Sequence, residues 1–399
     1  MASLNLTQKI IQSHLTAGEL KPGTEVSLRV DQGLLQDTTG TMGFLQLEEL
    51  GVDRIKIPFA IVYVDHNILA IDFKNPDDHM FLRSFAQKYG IHFSRPGTGI
   101  CHYLHMERFA KPGQLLLGAD SHTVMAGSVS MIAIGAGGLD VAVALAGHGF
   151  TMAMPKVVEV RLENTLGPWI QAKDIIPELL RRRDVKGGVG RIFEFTGPGV
   201  QTLSVPERGT ICNMIAELGA TTGIFPSDRR TKEWLTEQKR PADFVEMGAD
   251  QGASFDETEV IDLAKVVPLI AKPSSPGNVV PVSEVAGLKA QQVCVGSSVN
   301  SGYEDLAIDF KNPDDHMFLR SFAQRHGIHF SRPGTGICHY LHMERFAKPG
   351  QLLLGADSHT VMAGSVSMIA IGAGGLDVAV ALAGHGFTMA MPKVVEVRL

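Results

Sequence analysis

Cysteine is scarce in this sequence: four in 399 residues, at positions 101, 212, 294 and 338, with no CxxC pair and no even spacing. That excludes a disulfide-stapled secreted scaffold and makes a reducing cytoplasm the expected compartment. Aromatic residues are also thin, at 7% against 43 glycines, which argues against a stacking platform for bases. Positive charge is not in excess. A net charge of −6 and a pI near 6.2 give no reason to expect nucleic acid or an anionic membrane as partner. Long apolar runs are missing too. The most apolar stretch, Val129 to Met154, is broken by Asp140, His148 and five glycines. An aspartate at mid-bilayer costs about 3 kcal/mol, so no membrane span is expected there. The start, MASLNLTQ, has no basic segment followed by an apolar run, so no signal peptide is expected.

What is present is a repeat. Residues Leu69–Leu162 recur as Leu306–Leu399, offset by 237 positions. Of the 94 paired positions 92 are identical; only Lys88-Tyr89 becomes Arg325-His326. Repeats kept for function in solenoids drift, and these have not. Asn67-Ile68 precedes the first copy and Glu304-Asp305 the second. So abrupt a join reads as recent recombination, an engineered fusion or a gene-assembly error. The second copy lacks the 68 residues that precede the first, so it is expected to be incomplete as a folding unit.

Between these landmarks, periodicity predicts alternating helices and strands. Helices are expected at Asn5–Leu15, Thr41–Leu50, Val141–Ala146 and Ile175–Arg183. Strands are expected at Glu25–Asp31, Phe59–Val64, Gln114–Ala119, Val157–Leu162, Arg191–Thr196 and Gln292–Gly296. Lys239–Glu259 and Pro268–Pro281 read as connecting loop and linker. The expected fold class is α/β, in three-layer α/β/α domains with mainly parallel sheets. The expected divisions are a first domain at 1–156, a second at 157–272, a linker and truncated start of a third at 273–305, and the duplicate at 306–399.

Three expected strands run into compact polar clusters: Asp65-His66-Asn67, Asp120-Ser121-His122 and Ser298-Val299-Asn300. Ligands of open parallel sheets bind beyond the carboxyl ends of strands, so a site belongs there. Two of the clusters pair a carboxylate with a histidine, which fixes the imidazole tautomer and suits an anionic, oxygen-rich substrate. One such cluster alone would more simply cap a turn or a helix; three at equivalent strand ends favour a site. His102, His105 and Glu107 are a weaker zinc candidate without a further ligand at a telling spacing. Gly135-Ala136-Gly137-Gly138 is better explained by close helix–strand packing than by a dinucleotide loop, and Arg181-Arg182-Arg183 by a solvated helix end.

Taken in order, these segments resemble the aconitase and isopropylmalate dehydratase family. The motifs are Leu35-Gln36-Asp37-Thr38-Thr39-Gly40-Thr41, Val64-Asp65-His66-Asn67, Arg95 to His102, Gly118-Ala119-Asp120-Ser121-His122-Thr123, Asn213 to Thr222 and Gly296 to Asp305. The resemblance covers about residues 4–305 and is nearer to monomeric bacterial aconitases than to the isopropylmalate branch. It implies reversible dehydration and hydration of a tricarboxylic acid such as citrate or isocitrate through cis-aconitate. It also implies roles: Asp65, His66, His102, Asp120, His122 and Glu217 as catalytic carboxylate–histidine pairs, and Gln36, Asp120, Ser121, His122 and Asn300 as substrate contacts. In the family a [4Fe–4S] cluster on three cysteines supplies a Lewis acid.

Here the sequence departs from the family. Where members read Gly-Ser-Cys-Thr-Asn-Ser, this chain reads Gly296-Ser297-Ser298-Val299-Asn300-Ser301, so Ser298 occupies the first cluster-cysteine position. Cys294 lies four residues earlier, within the expected strand. The CxxC expected downstream is replaced by the duplicate, as are the arginine clamp and the domain carrying the family's catalytic serine. No metal or cluster is therefore expected on this chain, and it is expected to be inactive as it stands. Its expected partner is a small di- or tricarboxylate, and the duplication permits a domain-swapped homo-oligomer. The alternative reading is a cluster-free polycarboxylate-binding or regulatory module.

Overall fold

The computed structural model describes residues 3–68, 73–168, 170–288, 311–331, 337–386 and 395. Helix α1 (Leu6–His14) opens the chain and is capped by Asn5, whose side chain accepts from Gln8 N. A short antiparallel sheet follows, in which β2 (Glu25–Leu28) lies between β1 (Leu15–Gly18) and β8 (Phe150–Ala153).

The first copy's main sheet is parallel, in the order β5-β4-β3-β6-β7. Its strands are β3 (Gln32–Gln36), β4 (Phe59–Tyr63), β5 (His92–Ser94), β6 (Leu115–Gly118) and β7 (Ile132–Gly135). Helices α2 (Asp37–Glu49), α3 (Lys74–Tyr89), α4 (Cys101–Arg108) and α5 (Gly138–Leu145) cover it. One face packs Leu35, Val62, Leu117 and Ile132 against Phe44 and Phe85; the other packs Leu34, Ile61, Leu116 and Ala133 against Tyr103, Met106 and Met125. A sheet buried on both faces is what parallel crossover connections require.

A second parallel sheet has the order β11-β10-β9-β12. Its strands are β9 (Lys156–Glu163), β10 (Arg191–Thr196), β11 (Thr222–Ile224) and β12 (Glu257–Asp262), with helices α6 (Ile175–Arg183), α7 (Val205–Met214) and α8 (Arg229–Glu237). The expected loop at Lys239–Glu259 is corrected at its end, where β12 begins. Glu257 and Glu259 meet Arg183 and Arg191 from other elements, and that pairing draws a polar segment into the sheet. The Pro-rich linker likewise contains an antiparallel hairpin, β13 (Leu269–Ala271) with β14 (Val279–Pro281). The expected strand Gln292–Gly296 lies outside the described residues.

The two sheets are locked together by buried polar contacts. Glu194 on β10 accepts from the backbone N–H of Leu6 and Thr7 and from the Thr7 hydroxyl, at 2.9, 2.9 and 2.7 Å. The 3-10 helix Ser121–Val129 rests on β11 so closely that a Cβ at Gly127 would lie 1.8 Å from the Gly223 carbonyl oxygen. Only glycine fits there.

The duplicate repeats local structure but not this setting. It forms helices Lys311–His326, Cys338–Arg345 and Gly375–Leu382, and two paired strands, β15 (Leu352–Gly355) and β16 (Ile369–Gly372). β6 pairs with β3 and β7, whereas its counterpart β15 belongs to a two-stranded sheet. Gly364, the counterpart of Gly127, has open space around it. Among the described residues no helix is long and apolar enough to cross a membrane.

Candidate functional site

The site gathers at the carboxyl ends of β3, β4 and β6. β3 ends in Gln36, whose side-chain oxygen accepts from Thr38 N at 2.6 Å and caps α2. That cap starts the helix four residues before the expected Thr41. The next residue, Asp37, holds the loop after β4: its carboxylate accepts from the backbone N–H of Asp65, His66 and Asn67, at 3.0, 2.9 and 2.6 Å. The sequence reading missed Asp37 as a site residue. Its only local sign was an acidic residue in the first turn of a helix, where it also suits the dipole.

With the loop fixed, Asp65 and His66 face α4 and the turn after β6. Asp65 accepts from Cys101 N at 2.6 Å and stands 3.0 Å from His66 Nδ1. His66 Nε2 lies 3.7 Å from Asp120, and Asp120 is in turn 3.4 Å from His102 Nδ1. Asp120 also caps the 3-10 helix, accepting from His122 N at 3.0 Å. His122 Nδ1 sits 3.1 Å from the Ser121 hydroxyl, and its ring centroid is 5.3 Å from that of His102. Asp65, His66, His102, Asp120, Ser121 and His122 thus come together, with Gln36 at the neighbouring strand end. Glu217 accepts a hydrogen bond from Ser358 of the duplicate, a partner other than His122. Asn300 and Ser298 lie outside the described residues.

The zinc candidate separates. His105 turns from the site into the core, 2.7 Å from Gln32 Oε1 and 3.2 Å from the Tyr63 hydroxyl. Burial and the charge of Arg240 lower its pKa to about 3. Among the described residues, His105 and Glu107 join no metal-competent group with His102.

Burial alone would neutralise His66, but the hydrogen bond to Asp65 and the charges of Asp65, Asp120 and Asp37 outweigh it and raise its pKa to about 9. His122 moves the other way: burial and neighbouring His102 lower its pKa to about 4, against the pull of Asp120. At neutral pH the site therefore pairs a cationic imidazole with a neutral one. Environments that push like groups apart are how a site separates acid and base roles. The contribution of His66 to stability is fully present below its unfolded value near 6.5 and is lost as pH rises through 9. We expect NMR titration of the His66 ring to give a midpoint near 9 and the protein to lose stability between pH 7 and 9. His66→Gln should remove that part of the pH dependence; a midpoint near 6.5 in the parent chain would contradict the assignment.

Comparison with known proteins follows the same residues. A profile of the aconitase family (aconitate hydratase) matches residues 8–309 and again 288–399. The 3-isopropylmalate dehydratase large subunit 2 of Archaeoglobus fulgidus is 36% identical over 303 residues, which are 76% of this chain and 73% of that protein. The mitochondrial aconitate hydratase of Schizosaccharomyces pombe is 37% identical over 333 residues, 76% of this chain but 42% of that protein. The mitochondrial homocitrate dehydratase of Saccharomyces cerevisiae is 35% identical over 344 residues, 77% of this chain and 44% of that protein. The chain thus spans less than half the length of these two mitochondrial relatives. Both branches match at similar identity.

Proposed function

The chain belongs to the aconitase family, and on that footing we propose that it is a hydro-lyase by descent which retains the carboxylate-binding half of its site but does not turn substrate over. In this reading residues 1–156 carry the binding residues, 157–272 support them from behind, 273–305 begin a third domain, and 306–399 repeat 69–162. The substrate class is a hydroxylated di- or tricarboxylic acid, and the compartment is the cytoplasm, which suits a chain with four cysteines in 399 residues.

The observation that carries the reading is His66, held as a cation by Asp65 and Asp120 beside neutral His122. His66 supplies a fixed positive charge for a substrate carboxylate. His122, with Nδ1 tied to Ser121, offers Nε2 as a proton acceptor or a hydrogen-bond partner for a substrate hydroxyl. The Gln36 oxygen is committed to Thr38, which leaves its amide N–H groups to orient a carboxylate.

The family's [4Fe–4S] cluster needs three thiolates. Burial pushes the Cys101 thiol well above its ordinary range and raises that of Cys212. Among the described residues no metal-competent group contains two cysteines. The described residues therefore do not fit the cluster, and the proposed chemistry stops at binding. Calorimetric titration with citrate tests it. A charge-assisted hydrogen bond contributes about 1.5–3 kcal/mol, so His66→Gln should weaken binding about tenfold to a hundredfold. Equal affinity in the two proteins would remove the basis of the proposal.

A further inference from the structure

Position 359 is position 122 moved by the repeat offset of 237, and the fold brings the two histidine rings into edge-on contact. Their ring centroids are 5.3 Å apart and their planes cross at 67°. Each belongs to the same local arrangement. His122 Nδ1 lies 3.1 Å from Ser121 Oγ and 3.9 Å from Asp120; His359 Nδ1 lies 3.2 Å from Ser358 Oγ and 3.8 Å from Asp357. Behind His122 stands the His102 ring at 5.3 Å, and behind His359 the His339 ring at 5.0 Å. The field is reciprocal as well: Asp357 acts on His122, and Asp120 acts on His359. Equivalent residues meeting equivalent residues is the mark of a two-fold contact, here formed inside one chain. The hydrogen bond from Ser358 to Glu217 fixes the duplicate's turn on the first copy.

We propose that His122 and His359 jointly bind one divalent transition ion of the zinc or cobalt class. Two imidazoles on one tetrahedral ion, each bonded at about 2.0–2.1 Å, place their ring centroids about 5 Å apart. The observed centroid spacing of 5.3 Å matches that arrangement. In both residues Nδ1 is engaged by serine and faces a carboxylate, which leaves Nε2 for the ion. A ligand histidine with its other nitrogen held by a polar partner is the usual second-shell pattern. Imidazole donors select zinc, cobalt, nickel or copper over magnesium or calcium. Asp120 and Asp357 supply charge to offset the cation, and solvent fills the remaining positions. The ion takes the same Nε2 of His122 that would otherwise meet a substrate hydroxyl, so the two exclude one another at that atom, while the carboxylate contact proposed at His66 is left free.

Titration of the full chain with cobalt(II) alone, followed by visible absorption, tests it. One ion per chain is expected, with the bands of a tetrahedral or five-coordinate nitrogen–oxygen site. His359→Ala, at a side chain 45% exposed and outside the packed core, should abolish binding, and His122→Ala should do the same. Asp357→Asn should weaken it by about tenfold to a hundredfold. Cys101→Ser and Cys338→Ser should leave it unchanged. Three other groups compete for the ion: Asp65, His66 and Cys101, and Cys101, His102 and Asp120, in the first copy, and Cys338, His339 and Asp357 in the duplicate. A near-ultraviolet thiolate-to-cobalt band, binding unaltered in His359→Ala, or no binding to the parent chain would each overturn the proposal.

Discussion

Anaerobic treatment of the chain with iron and sulfide is expected to leave it colourless, and adding cis-aconitate afterwards to give no hydration. The size of the expected effect follows from what the family reaction asks of its site. A Lewis acid must polarise the leaving hydroxyl, and a base must take a proton from the neighbouring carbon. Enzymes lower such barriers by at least about 8 kcal/mol, so losing the Lewis acid alone takes turnover below detection. On the sequence reading Ser298 stands where the family's first cluster cysteine is expected, and the 399 residues contain no CxxC. A serine oxygen does not replace a thiolate as a ligand for iron–sulfur chemistry. The two buried thiols offer no substitute, since burial raises the pKa of both Cys101 and Cys212 and so disfavours their thiolates. About four irons per chain with the broad absorbance of a cluster would refute the first half. Turnover that survives chelator and gel filtration, and disappears in His122→Ala, would refute the second.

The parts of this molecule that were legible in sequence are those decided by short-range physics. Helix α6 and strand β10 fall on the expected residues because their apolar spacing has one clear period and their neighbours end it. The Asp65–His66 pair was legible from the rule that polar clusters at strand ends line a common crevice, and the Asp120–His102 pair from the family resemblance. β3 was not. All five of its residues are buried, so it shows no alternation, and glutamines at both ends disguise a central strand. Asp37 was missed because its role lies 28 residues away, in three backbone N–H groups it holds in place. The contact between His122 and His359 had no sequence sign at all. A repeat shows that two segments share a conformation, not that they meet.

Leu117→Ala is expected to cost about 2–5 kcal/mol, and Leu354→Ala about 1 kcal/mol, although the two leucines occupy equivalent positions in identical surroundings of sequence. Leu117 is fully buried in the core shared by Phe44, Val62, Phe85 and Ile132, on a strand paired at both edges. A methyl-lined void there cannot collapse, because sheet and helices hold its walls. Leu354 is also buried, but in a cluster whose other buried members among the described residues are Val378 and Ala381. Such a cluster closes over a lost side chain at small cost, since its helix can shift against a two-stranded sheet. The same difference predicts that the amides of β15 exchange with solvent ahead of those of β6, because few buried contacts hold them closed. Hydrogen exchange in the parent chain and in both variants measures all of this together. Equal losses at the two leucines, with equal protection of the two strands, would mean that the duplicate folds as a domain in its own right. It would then need no neighbours from residues 3–68, and the incomplete sheet would not be the reason for its weaker packing. The unequal result follows if identical sequence is worth only as much as the structure built around it.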